Sequence, residues 1–465
     1  MHKPTYINTD NFWRINSPNS FIIIFFVALV VRLINLAISD FSPDAMLLED
    51  AALYWTPVTT GQTFLDNAHL EIFSQTERMP GYFLFLAAIV SIFGEHFLPV
   101  LVIQSVIDSV TCVLIAALGC YIYPKHYGIL GWLAAVWPNL LIHSGQILGD
   151  SLFVFFFVWF LLSFTGLLNK PTILAAVVTG AALGLATLVR PTTQFIIFMT
   201  PVLLPLILIM SKMKVREAVF NSLVVFAISV VCVAPVLVKN LSKYDSLALT
   251  SQNGTHLQNW VASEVVMLRD GVGRKDAVKR LQTKTNKALA ALSPSQQLNP
   301  FVRSAQQIDT ALNEIVATPT RIIVKSWLQG AVINLAAPAL MIDKRVRQLP
   351  HISFAGDTRG DLFARTWQFI SGSSPIYVAA LVASAAGAII VSLIQFAGFF
   401  VQLRVHMMLA VLCALTVAYF LMVNGPVGSP KYRLPIEPIL IIWFGCGLLS
   451  FWKFVKKFRY RRTIP

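Results

Sequence analysis

The sequence predicts an all-α, polytopic transmembrane protein with about ten spanning helices and additional interfacial helices lying beside them. Two observations carry that reading. Of the 465 residues, 56% are hydrophobic and 12% are charged, with a mean hydropathy of +0.69, whereas soluble domains are about one quarter charged. The apolar residues also come in unbroken runs. Phe153 to Leu168 and Leu223 to Val238 are apolar on every face, which suits a helix in lipid and rules out the alternating strands of a porin-like barrel.

The elements follow in chain order. Lys3 and Arg14 precede an apolar run at 21–38 that is long, contains Arg32 and has no small-residue cleavage site after it, so it is expected to be an uncleaved first span. Further apolar segments lie at 81–95, 97–121, 127–143, 150–168, 172–189, 193–211, 217–238, 322–340, 376–401, 405–423 and 434–452. The 81–95 segment is short and 322–340 carries Lys325, Gln329, Asn334 and Pro338; both are expected at the outer interface. With a cytoplasmic N-terminus, Lys125, Lys170, the Lys212, Lys214 and Arg216 group, Arg404 and the tail Lys453 to Arg462 then all fall inside, as the positive-inside rule requires. Letting both weak segments span would move Lys125, Lys170 and the Lys212 group outside. Both termini are therefore expected in the cytoplasm.

That topology makes residues 1–465 a single membrane domain with three outer-face regions: 39–96, 239–375, and the turn Asn424 to Pro435. Residues 376–465 supply the last spans and the basic tail. The 239–375 region is the long polar stretch of the chain, includes amphipathic material such as Glu264 to Leu292, and is expected to bind or cover a ligand. Cys112, Cys120, Cys232, Cys413 and Cys446 all sit in apolar runs without a CxxC pair, so they read as core residues. The net charge of +14 is absorbed by topology, and no nucleic acid partner is expected.

Ionisable groups at membrane depth are costly, so each one beside a span is a candidate site. Glu49 and Asp50 open the first outer region and are followed by Tyr54. Adjacent carboxylates repel, which raises the pKa of one of them unless a cation or metal is near, and such a group can take a proton from a hydroxyl. Arg78 leads into Pro80, Gly81 and Tyr82, where it could hold a phosphate or snorkel to headgroups. Asp150 stands at the outer end of a very apolar helix as an N-cap or a second acid, and Arg190 with Pro191 closes the span after it. Lys431, Tyr432 and Arg433 precede the last span on the outer face, against the positive-inside trend, which suggests a bound anion.

Taken in order, these residues resemble the polytopic glycosyltransferases of the GT-C superfamily that use a polyprenyl- or dolichyl-phosphate-linked sugar, including protein O-mannosyltransferases and the lipid A aminoarabinose transferase. The likeness rests on Asp50 with Tyr54, Arg78 with Pro80, Gly81 and Tyr82, Asp150, the run Gly184 to Pro191, and the Tyr432 to Pro435 turn. It implies a donor of polyprenyl-phosphate-sugar, a glycan, lipid or protein acceptor, and an inverting transfer at the outer, periplasmic face of a cell inner membrane. Asp50, or its neighbour Glu49, would be the general base and Asp150 would position it. Arg78, Arg190, and Lys431 or Arg433 would stabilise the leaving phosphate, while Tyr54, Tyr82 and Tyr432 line the substrate or pack. No cofactor is certain. The resemblance admits a divalent ion at Glu49, Asp50 and Asp150, although no His joins them in ligand-like spacing.

The sequence departs from the family pattern in reading Glu-Asp for Asp-Glu, in having Arg78 where the aminoarabinose enzyme has Lys, and in ending soon after its last span. Acceptor recognition is therefore expected from 239–375. The rival reading is a transporter, flippase or polymerase of lipid-linked sugars; it predicts charges near mid-bilayer, where Asp108 is the one deep acid, expected to pair with a neighbouring helix.

Overall fold

The computed structural model describes residues 18–48, 50–59, 75–122, 127–352 and 362–462, and among them the regular structure is helical. Eight of these helices are long and apolar enough to cross a membrane: α1 (Pro18–Ala37), α4 (Phe97–Ile122), α7 (Asp150–Asn169), α9 (Gln194–Met210), α10 (Val215–Tyr244), α18 (Pro375–Val405), α19 (Met407–Asn424) and α21 (Glu437–Arg462). α8 (Ile173–Val189) is shorter. It packs along both α7 and α10.

The segment expected as one span at 127–143 is broken. It forms α5 (Tyr127–Ala135) and α6 (Pro138–Ser144), because Pro138 cannot donate the helical hydrogen bond and its ring drives Trp137 into the extended conformation seen at φ −69° and ψ 117°. With α8 and this broken pair the bundle has about ten crossings, as the apolar runs imply. α3 (Pro80–Phe93), at about 1.5 Å per residue, is near 21 Å long and falls short of a bilayer core.

Successive spans alternate direction, which sorts the charges. α7 runs from Asp150 to Lys170, α8 returns to Arg190, α9 leads to the Lys212 group, and α10 comes back to Lys239. Gly180, with Gly184 one turn on, makes this packing close. A Cβ on Gly180 would stand 2.6 Å from the Val225 carbonyl oxygen, and the Ser229 hydroxyl donates to the Gly180 carbonyl at 2.9 Å, so α8 and α10 meet backbone to backbone. In the bundle interior Arg32 Nε donates to Asp108 Oδ2 at 2.6 Å, and Nη1 donates to the Ala28 and Ala135 carbonyls. The deep acid is therefore a structural partner of α1, as expected of an acid paired with a neighbouring helix.

A second layer caps one end of the bundle. It consists of α11 (Gln252–His256), α12 (Ser263–Asp270), α13 (Arg274–Ala290), α14 (Pro300–Val316) and α15 (Thr320–Ala336), while α2 (Asp50–Thr59) packs on α3 and into the bundle core. Its own small core joins Ala262, Val266, Ala277, Leu281 and Ala311. The shorter helices include α16 (Lys344–Arg347), α17 (Leu362–Gly372) and α20 (Pro430–Arg433).

Candidate active site

The N-terminal end of α3 carries Arg78 and is fixed by close approach. Pro80 occupies the first helical turn, where its missing N–H costs nothing. A Cβ on Gly81 would lie 2.6 Å from the Leu188 carbonyl oxygen, so only glycine lets α3 dock on the last turn of α8, beside Arg190. The segment before it is tied to the polar region: Ser251 N donates to the Thr76 carbonyl at 2.8 Å and Lys239 Nζ to the Gln75 carbonyl at 3.1 Å.

Arg78 Nη2 donates to Asp50 Oδ1 at 2.8 Å, and its guanidinium lies 4.7 Å from the centre of the Tyr54 ring. Lys431 Nζ donates to the other oxygen, Asp50 Oδ2, at 2.5 Å. Lys431 is aimed by its turn, in which the Ser429 hydroxyl caps the Lys431 N–H and Asn334 Oδ1 accepts from Ser429 N at 2.9 Å. Burial works against ionisation of Asp50, yet Lys431 and Arg78 outweigh it and hold the carboxyl down to about 2. This is the exception the sequence allowed for, a cation close to the acidic pair, since two cations stand on Asp50. Glu49 lies outside the described residues.

Asp150, 2% exposed, forms an ion pair with Arg190. These five charged groups, Asp50, Arg78, Asp150, Arg190 and Lys431, line one cavity of about 400 Å³, with Tyr54 and Tyr432 in the same wall. Val189, Phe195, Phe420 and Val423 form its apolar side. His256, which no motif in the sequence marks, also lines it; burial and then Arg190 lower its pKa.

Two candidates are not brought to the cavity. Arg433 Nε donates to Glu437 Oε1 at 2.6 Å and Nη1 donates to the Leu335 and Ala337 carbonyls at 3.0 and 2.9 Å; its donors knit α15 to the last span. Glu437, fully buried, also accepts from Trp137 Nε1 and Asn139 Nδ2. Tyr82 is fully buried and its hydroxyl donates to Gln104 Oε1 at 2.6 Å, with its ring 5.0 Å from Tyr54 edge to face. It supports Tyr54 from behind.

Of the three acids that the resemblance admits for a divalent ion, Glu49 lies outside the described residues. Among the described residues no three His, Cys, Asp or Glu side chains converge for a metal, and Asp50 and Asp150 are each already faced by Arg or Lys.

Residues 77–238, the stretch holding Arg78, Asp150 and Arg190, match the family model described as dolichyl-phosphate-mannose-protein mannosyltransferase. No curated protein matches the chain. Among solved structures, the fold is similar to the archaeal oligosaccharyltransferase AglB from Archaeoglobus fulgidus in complex with an inhibitory peptide and a dolichol-phosphate. That match has 12% identity and a TM-score of 0.51, covering 96% of this chain and 51% of that one. The Archaeoglobus fulgidus oligosaccharyltransferase tethered to an acceptor peptide matches at 11% identity and a TM-score of 0.50, over 95% of this chain and 50% of that one. ArnT from Cupriavidus metallidurans in the apo state reaches a TM-score of 0.38 at 12% identity, over 93% of this chain and 78% of that one, and carries no argument about fold. The chain thus spans about half the length of the oligosaccharyltransferases it matches. The family model matches one stretch of the chain, and the fold is similar to that of the oligosaccharyltransferases.

Proposed function

We propose that this chain, GT-C-like in fold, is an inverting glycosyltransferase that moves a sugar from a polyprenyl-phosphate carrier to an acceptor hydroxyl at the outer face of the membrane. The single observation that carries the reading is the convergence of Arg78, Arg190 and Lys431 with Asp50 and Asp150 on one cavity that is apolar on its other side. A lipid phosphate needs that pairing of cations with an apolar wall.

The donor is a phosphate diester with one negative charge. Asp50 takes the proton from the acceptor hydroxyl, whose oxygen attacks the anomeric carbon on the face away from the phosphate. The bond from that carbon to the phosphate oxygen breaks, and the electron pair leaves with the lipid phosphate, which gains a second charge. Arg78 and Lys431, already in place, stabilise that charge as it grows. Asp150 holds Arg190 in reach of the same phosphate. The outer-face assignment is supported by the way the spans sort their charges, with Lys170, Lys212, Lys214, Arg216 and Arg404 all at helix ends remote from the cavity.

Asp50→Asn keeps the shape and removes the base. It should lower sugar transfer in a polyprenyl-phosphate-sugar assay by about 10²- to 10⁴-fold while the folded protein still binds the lipid. Full activity of that variant would overturn the assignment.

A further inference from the structure

The cavity has a third kind of wall. Beside its cations and its apolar side stand three carboxamides, Gln194 from α9 and Gln252 and Asn253 from α11, with His256 at the end of α11. Gln194 is 8% exposed and Gln252 and Asn253 are half-buried, yet none of the three side chains hydrogen-bonds another described residue. A carboxamide withdrawn from water is destabilising until a partner satisfies it.

These groups are held in place. Gln194 opens α9 just after the Thr193 hydroxyl, which bonds that of Thr187 at 2.8 Å, and the Thr192 carbonyl, which accepts from the Tyr419 hydroxyl. α11 is fixed by Gly254, whose N–H donates to Ser304 Oγ at 3.1 Å and where a Cβ would stand 2.4 Å from the Ser304 carbonyl oxygen. The helix therefore lies backbone to backbone on α14, and Gln252 and His256, two positions to either side of the glycine, are turned the other way. The Ser251 hydroxyl donates to Thr76 Oγ1 at 3.1 Å, which ties α11 to the segment ahead of Arg78. Past His256 the chain makes a π-helical turn, Leu257–Ala262, a winding concentrated at functional sites.

A sugar hydroxyl both donates and accepts a hydrogen bond, and so does a carboxamide, so this wall matches a hydroxylated ring at every contact. An ammonium would leave amide N–H groups unmatched and a carboxylate would leave the amide oxygens unmatched. Arg190 precedes Gln194 by one short 3-10 turn, and the transferred sugar is bonded to the phosphate itself. A guanidinium on that phosphate brings the ring against the carboxamides.

We propose that Gln194, Gln252 and Asn253 bind the hydroxyls of the transferred sugar, and that this sugar is neutral and fully hydroxylated. The proposal rests on the glycosyltransferase reading above.

The test is equilibrium binding of three lipids to the full-length, detergent-solubilised protein: polyprenyl-phosphate-mannose, polyprenyl-phosphate-glucose and polyprenyl phosphate without a sugar. The double variant Gln252→Ala with Asn253→Ala should lose about tenfold or more in affinity for at least one sugar-bearing lipid and bind the bare phosphate within about twofold of the parent. Either single variant, read the same way, carries the test if the double variant melts early. Gln282→Ala, at an exposed position on α13, should change none of the three affinities. Unchanged binding of both sugar-bearing lipids overturns the proposal, as does an equal loss for all three lipids, or a parent that binds the bare phosphate and neither sugar-bearing lipid. A failure of the glycosyltransferase reading appears separately, as binding of polyprenyl phosphate no tighter than that of uncharged polyprenol.

Discussion

Asp50 in the resting protein is a poor base. A carboxylate held at about 2 by Lys431 and Arg78 has little hold on a proton at neutral pH, yet both cations are the groups a donor phosphate would claim. A bound donor draws them off, and the pKa of Asp50 rises as its counter-ions are shared. Since kcat/KM for the donor reports the free enzyme and kcat the loaded one, the acid limb of kcat should lie at higher pH than the acid limb of kcat/KM; coincident limbs would sink this coupling. The same logic separates the arginines. Arg78→Ala removes a charged hydrogen bond to phosphate and should weaken polyprenyl phosphate binding about 10- to 100-fold, whereas Arg433→Ala should lower the thermal midpoint and leave lipid affinity near that of the parent, because its donors serve Glu437 and main-chain carbonyls. The split between Lys431 and Arg433 was within reach of the sequence: residues two apart in a helical turn point to opposite sides, so one of the pair had to face away. His256 was not, since it reaches the cavity from a helix that only the folded chain brings to Arg190.

At the scale of elements, the apolar runs specified the helices well and their interruptions less so. The break at Trp137 follows from Pro138, but hydropathy averaged across 127–143 hides one proline. The Gly184 to Pro191 run, a family signal in the sequence, turns out to be packing as much as chemistry, since a Cβ on Gly184 would lie 2.6 Å from Cys232 Cβ. Gly180→Val should force α8 from α10 and cost about 1–3 kcal/mol, read as a lower thermal midpoint in detergent. Gly387→Val in α18, where a Cβ meets nothing within 4 Å, is the matched control and should be neutral. Equal effects at the two positions would mean that helix propensity, not close approach, governs α8. α17 presents Phe363, Trp367 and Ile370 to the outside, one stripe at spacings of four and three residues, suited to lie along the bilayer surface.

For the whole molecule, the alternation of spans makes one end of the bundle basic and remote and the other end the site. That arrangement predicts opposite accessibility for Lys170→Cys and Lys279→Cys, both exposed positions, when intact cells or sealed vesicles meet an impermeant thiol reagent. Labelling of Lys279→Cys alone from outside is the expected result, and labelling of Lys170→Cys from outside would invert the protein in its membrane. The helical, membrane-spanning architecture was legible because lipid allows few alternatives to an apolar helix. The carboxamide wall of the cavity was not, because Gln194, Gln252 and Asn253 come together only when α9 and α11 do.

The contact between Lys431 and Asp50 spans 381 residues, and this separation sets a clock on biogenesis. At roughly 5–20 residues per second of synthesis, Asp50 leaves the ribosome about 20 to 80 s before its lysine exists, so a nascent chain already inserted in the membrane holds the proposed phosphate site unfinished until the last span arrives.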